Sequence, residues 1–182
     1  MVGLQARRVQ KSIFVPSPKE LRGLTRRLPP VFPQRDRVRF ELLYKCGIGV
    51  SEVVHLNVPA VDLASRTVVV TGRGGRERYI SLPKSTVKTL KAYLPKRLGV
   101  TNSASNALVL NLRGGRLTSR SVGRVIKALG STAKTSEDIH PHALRQAFAV
   151  HSLNSGKDIE GIRHDLGATG AAATLRIGQR YR

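Results

Sequence analysis

At 182 residues, 40% of them apolar, the chain is long enough for one domain with a sizeable core, and no break in composition divides it. Thirty-two Lys and Arg against 11 Asp and Glu leave a net charge of +21, too lopsided for an ordinary enzyme of small substrates, and point to a polyanionic partner, nucleic acid first. A single cysteine, Cys46, excludes an internal disulfide and a cysteine-based metal site, and no 18-residue apolar run or apolar stretch behind the basic N-terminal residues marks a membrane span or signal peptide.

Residues 1–16 read as a basic arm or linker remnant, carrying Arg7, Arg8 and Lys11 and ending at Pro16. Order is expected from Ser17, where Ser17-Pro18-Lys19-Glu20 combines a cap, a proline at the first helical position and a glutamate three residues after the cap. That helix runs to about Arg27, and a second, about Gln34 to Cys46, carries Val38, Leu42, Leu43 and Cys46 at core-facing spacing. A short helix over Val50 to Leu56 turns Val50, Val53 and Val54 inward. Thr67–Thr71 and Tyr79–Leu82 read as strands joined by the charged, glycine-rich Gly72-Arg-Gly-Gly-Arg-Glu-Arg78, an exposed hairpin turn.

Helical spacing returns over Ser85 to Leu98, and Leu108–Leu110 reads as a short strand or extended segment before Gly114-Gly115. A helix over Thr118 to Leu129 places Arg120, Arg124 and Lys127 on one face, a stripe suited to a DNA backbone. Helices over Pro141–Leu153 and Asp158–Leu166 follow, with a last short one over Ala171 to Arg176. The overall expectation from these elements is an α+β chain, mainly helical, with a small antiparallel β-ribbon.

The most informative stretch is Ile139-His-Pro-His-Ala-Leu-Arg-Gln-Ala-Phe-Ala-Val-His151. His142 and Arg145 stand one turn apart directly after a helix-opening proline, so an imidazole and a guanidinium share one face and can together grip a phosphate. His151 reads as structural, with an inward hydrogen bond. Four Tyr, four Phe and no Trp leave little for stacking on single-stranded bases.

In order along the chain, Arg35–Tyr44, Gly49-Val-Ser-Glu52, Val61-Asp-Leu63, Gly72–Arg78, Leu82-Pro83, Ile139–His151 and Leu166-Gly167 resemble the catalytic domain of the tyrosine recombinase (phage integrase) family. The resemblance implies that residues 17–182 are that domain, without the helical domain that usually precedes it. It also implies double-stranded DNA as partner, assembly as a homo-oligomer on DNA, no metal or nucleotide cofactor, no small-molecule substrate, and a cytoplasmic, nucleoid-associated location. The family's chemistry is attack by a tyrosine on the scissile phosphate to form a 3′-phosphotyrosyl bond, reversed by a DNA 5′-hydroxyl.

Carried over residue by residue, His142 and Arg145 match the His-x-x-Arg element. Arg73 stands at the hairpin position where the family has lysine. It keeps the charge, but its pKa is too high for ready proton transfer to a leaving 5′-oxygen. Gly49 stands where the resemblance implies the first phosphate-clamping arginine, Ala168 where it implies histidine, and Ile177 where it implies the tyrosine. Tyr181, four residues further on, is the one displaced candidate for nucleophile, although its place beside the last residue, Arg182, holds it poorly for in-line attack. Arg76, Arg78, Arg120, Arg124 and Lys127 complete the expected nucleic-acid-binding set. The leading expectation is a DNA-binding family member with strand transfer lost or impaired; the alternatives are an active recombinase using Tyr181 and a non-catalytic basic module of a nucleoprotein complex.

Overall fold

A computed structural model describes residues 14–26, 33–99, 105–133 and 139–167. Ser17 starts the first helix, α1 (Pro18–Arg26), as the sequence dictates: Glu20 Oε2 accepts the Ser17 N–H at 2.8 Å and Ser17 Oγ accepts the Glu20 N–H at 3.3 Å. The chain continues through α2 (Pro33–Tyr44), α3 (Val50–His55), a sheet of β1 (Val61–Asp62), β2 (Thr67–Thr71) and β3 (Glu77–Ser81), then α4 (Lys84–Leu98), α5 (Ser119–Ala133), α6 (Pro141–Asn154) and α7 (Ile159–Leu166).

α2 is the central element, packed by α3, α4, α5 and α6. Val38, Phe40, Leu42 and Leu43 are buried, as is Cys46 just beyond it. Asp36, Arg39 and Glu41 are buried with them, which the polar look of Gln34–Glu41 does not announce. Each is held by an opposite charge, because an unpaired ion there would cost several kcal/mol. Asp36 pairs with Arg39 and, at 3.1 Å, with Arg35; Glu41 takes Arg37 at 3.2 Å and Lys45 at 3.0 Å.

The sheet is antiparallel in the order β1-β2-β3, with Val68 opposite Ile80 and Val70 opposite Arg78. Period-2 alternation buries Val68, Val70, Ile80 and Arg78 on one face and leaves Glu77, Tyr79 and Ser81 outside. β3 begins two residues earlier than the sequence pattern implies, and this places Arg78 in an inward slot of the strand rather than in the turn. β1, only two residues long, is too short to leave a periodic signature. At the hairpin tip Gly74 and Gly75 adopt φ of +77° and +75°, the left-handed region open to glycine, and this lets the turn carry Arg73 and Arg76 outward.

Leu108–Leu110 forms no strand: the segment is pinned by single bridges, Asn57 to Ala107 and Leu110 to Arg116. Side chains supply the rest, the buried Arg97 donating to the Ala107 carbonyl at 2.8 Å and Arg116 to the Val54 carbonyl at 2.8 Å. The remaining helices agree with their sequence patterns, α5 running four residues past the expected Leu129. The expected basic arm before Phe14 and the expected helix over 171–176 lie outside the described residues.

Candidate nucleic-acid and phosphate site

The site is built where α3, β3, α6 and the end of α7 meet. α3 opens at Gly49, whose extended backbone (φ −71°, ψ 156°) makes it the N-cap; glycine offers no side chain to return the bond, so the cap rests on Glu52, which accepts the Gly49 N–H at 2.7 Å. The same carboxylate receives both terminal nitrogens of Arg78, at 2.7 and 2.9 Å, in a fork-to-fork pair that is 8% exposed on Arg78 and 14% on Glu52. Arg145 Nη1 lies 3.5 Å from Glu52 Oε2. One carboxylate thus stands between two guanidiniums. Burial pushes the Glu52 carboxyl up, but the Arg78 pair, the Gly49 N–H and Arg145 outweigh it and hold the group below the usual carboxylate range.

Both guanidiniums also close the end of α7. Arg78 Nε donates to the Asp165 carbonyl at 3.0 Å, and Arg145 donates to the Leu166 carbonyl and, at 2.7 Å, to the Gly47 carbonyl. The Asp165 and Leu166 carbonyls have no partner within the helix, and the negative end of its macrodipole favours the cations. Gly167 then turns the chain at φ +59°, its would-be Cβ only 2.7 Å from Arg78 Nη1. Gly167→Ala is therefore expected to destabilise the fold by about 2 kcal/mol, a left-handed residue pressed on a fixed guanidinium, read as a lowered thermal midpoint.

α6 presents the His-x-x-Arg pair. His140 is its N-cap, Nδ1 accepting the Ala143 N–H at 3.1 Å, and Pro141 occupies the first helical position. The positive end of this helix thus carries exposed His142, with half-buried Arg145 one turn on. Desolvation, then the His140 imidazole and the Arg145 guanidinium, push His142 below its usual pKa, and Gln146 Nε2 lies 3.2 Å from its Nε2. A phosphate bound beside His142 would reverse that bias, so such a complex would hold more protons than the free protein, and affinity for a phosphate polyanion is expected to rise as pH falls from about 8 to about 6. Each pKa unit gained on binding adds up to about tenfold at the acid end, and His142→Gln flattens the profile, which a filter-binding pH series reads directly.

Gly49 closes the site. Its would-be Cβ stands 3.1 Å from Glu52 Oε2 and 3.3 Å from Arg145 Nη1, so a side chain here would emerge directly beside the Arg145 guanidinium. His151 faces inward, Nδ1 3.0 Å from the Tyr44 hydroxyl. Of the residues singled out in the sequence, Arg145 joins this cluster and His142 neighbours it, while Arg73 and Arg76 stand exposed at the hairpin tip. Arg120, Arg124 and Lys127 are exposed along α5. Arg78, expected to face nucleic acid, is instead turned inward onto Glu52. Tyr181, Ala168 and Ile177 lie outside the described residues. Glu52 carries the site without having been given a role in the sequence; its position three after the cap glycine was the available signal.

Residues 18–177 match the model of the phage integrase family, and the chain belongs to that family, the tyrosine recombinases. The tyrosine recombinase XerC of Staphylococcus saprophyticus is 37% identical over 142 residues, 78% of this chain and 48% of that protein. The chain spans about half the length of the curated relatives it matches. Among solved structures, XerA recombinase superposes with a TM-score of 0.83 at 27% identity, over 90% of this chain and 59% of that one. XerH recombinase in a post-cleavage complex with its palindromic difH substrate gives 0.81 at 17% identity over 93% of this chain and 50% of that one, a likeness of fold. No helix among the described residues is long and apolar enough to cross a membrane.

Proposed function

We propose that this chain is a duplex-DNA-binding recombinase catalytic domain, residues 17–182 preceded by a basic arm, in which strand transfer is lost or impaired. The observation that carries the reading is Gly49: the position that the resemblance assigns to a phosphate-clamping arginine opens 3.3 Å from Arg145 Nη1 and supplies no donor. One missing donor to a developing oxyanion costs about 10²–10³ in rate. Arg73 at the hairpin tip steadies a phosphate but is a poor proton donor to a leaving 5′-oxygen. Ile177 and Ala168 remove the nucleophile and the second histidine that the resemblance implies, and loss of the nucleophile alone abolishes cleavage.

Binding survives these changes because it rests on other groups. His142 and Arg145 take the scissile-phosphate position, Arg73 and Arg76 approach from the hairpin, and Arg120, Arg124 and Lys127 run along the backbone. The XerH structure in complex with its difH substrate supports duplex DNA as the partner class; a nucleoid location and assembly as a homo-oligomer on DNA belong to the same proposal. A filter-binding salt series tests the reading. Five or more neutralised phosphates give a log–log slope of about −4 or steeper, whereas a nearly flat dependence overturns it.

A further inference from the structure

From Arg78 to Ser136 the sequence contains no aspartate or glutamate, and this stretch includes the whole of α4 and α5. On α4, Lys84, Lys88 and Lys91 recur at the spacing of Arg120, Arg124 and Lys127 on α5, and all three are exposed. The opposite face, with Val87, Leu90 and Tyr93, is buried, and the helix is held principally by α2. Like charges one turn apart destabilise a helix, and at α2 and α7 basic side chains are paired with carboxylates. Arg37 and Lys45 share Glu41 at 3.2 and 3.0 Å, and Arg163 reaches Glu160 at 2.9 Å. α4 has no carboxylate of its own for such a pair.

We propose that the lysine stripe of α4 is a second polyanion-docking face, which takes the phosphate backbone of a second duplex DNA segment while the first lies on α5 and the hairpin. From Lys84 to Lys91 the helix rises about 10 Å, the axial rise of three base-pair steps, so the three ammonium groups lie along the same length of duplex as four phosphates of one strand. The aromatic ring on this helix, Tyr93, is buried, which leaves no platform for stacking unpaired bases and favours duplex over single strands. Ammonium point charges hold phosphates without reading bases, so the contact is independent of sequence. α5 packs chiefly on α1 and α3 and also touches α2 and α6, the element that carries Arg145, with no substantial contact to α4, and the two stripes are taken as separate faces.

The proposal rests on duplex DNA being the primary partner, and a two-duplex capture assay separates the two claims. One duplex is immobilised and loaded with the full chain, and capture of a second, labelled duplex of unrelated sequence is measured. The wild-type chain is expected to capture it, and Lys84→Gln/Lys88→Gln/Lys91→Gln to weaken capture by roughly 10²-fold or more at low salt while binding the first duplex unchanged. Capture undiminished in the variant overturns the proposal and assigns bridging to protein–protein contact. No capture by the wild type also overturns it, as does equal loss of both duplexes, which places α4 on the primary face. Failure of the wild type to bind even the first duplex overturns the primary reading instead. Capture competed by duplex RNA but not by duplex DNA overturns the choice of partner.

Discussion

Glu52→Ala is expected to lower the unfolding free energy by about 3–5 kcal/mol, read as a fall in the urea midpoint with little change in slope. The magnitude follows from what remains. The Arg78 guanidinium is 8% exposed and loses both ends of its fork, and Arg145 loses the carboxylate 3.5 Å away. A buried guanidinium, Arg78, and a half-buried one, Arg145, then stand without the carboxylate between them, and the Gly49 N–H loses its acceptor. The folded fold holds Glu52 below its ordinary pKa, so its contribution is complete above the unfolded value and is lost as pH falls through the folded one. The wild-type protein accordingly loses stability on acidification in a window that Glu52→Ala does not share.

Arg120→Gln/Arg124→Gln/Lys127→Gln gives the second large effect, on binding rather than stability. The three side chains are exposed on α5, so their removal is expected to leave the unfolding free energy within about 0.5 kcal/mol of wild type. If each neutralises one phosphate, the log–log salt slope shrinks by about 2.7, and affinity for duplex DNA falls roughly 10²–10³-fold near 0.1 M salt. Parallel salt series on wild type and variant check both. The effect is uniform across sequences, because backbone contacts position the protein without reading bases.

Much of the scaffold was legible because local chemistry and tertiary structure agree. The Ser17–Glu20 box, Pro141 at the first turn of α6 and the apolar spacing of α2 each act over one or two turns, and each forms as written. What escaped depends on long-range partners. The burial of Asp36, Arg39 and Glu41 follows from α2 being surrounded, which its own periodicity does not reveal. Leu108–Leu110 has strand-forming residues but no neighbouring strand to complete a ladder, so it is pinned by Arg97 and Arg116 instead. The sequence pattern starts β3 at Tyr79 and so leaves Arg78 in the charged turn. Its place two residues before Ile80 puts it on the inner face, where Glu52 receives it. The His-x-x-Arg pair was fully legible, since two residues at helical spacing behind a proline specify their own geometry.

The proposed function requires that this chain keep the phosphate grip and lack the means to cut. An SDS-stable adduct assay with labelled duplex DNA from the flanks of its own gene tests it, beside a control chain carrying Gly49→Arg, Ala168→His and Ile177→Tyr. The extended backbone at Gly49 admits the arginine without strain, and Glu52 and Arg145 need yield only a few tenths of an ångström to its Cβ. No adduct is expected from the natural chain, and an adduct is expected from the control. A covalent adduct from the natural chain that Tyr181→Phe abolishes would contradict the proposed function and identify a working recombinase with a displaced nucleophile.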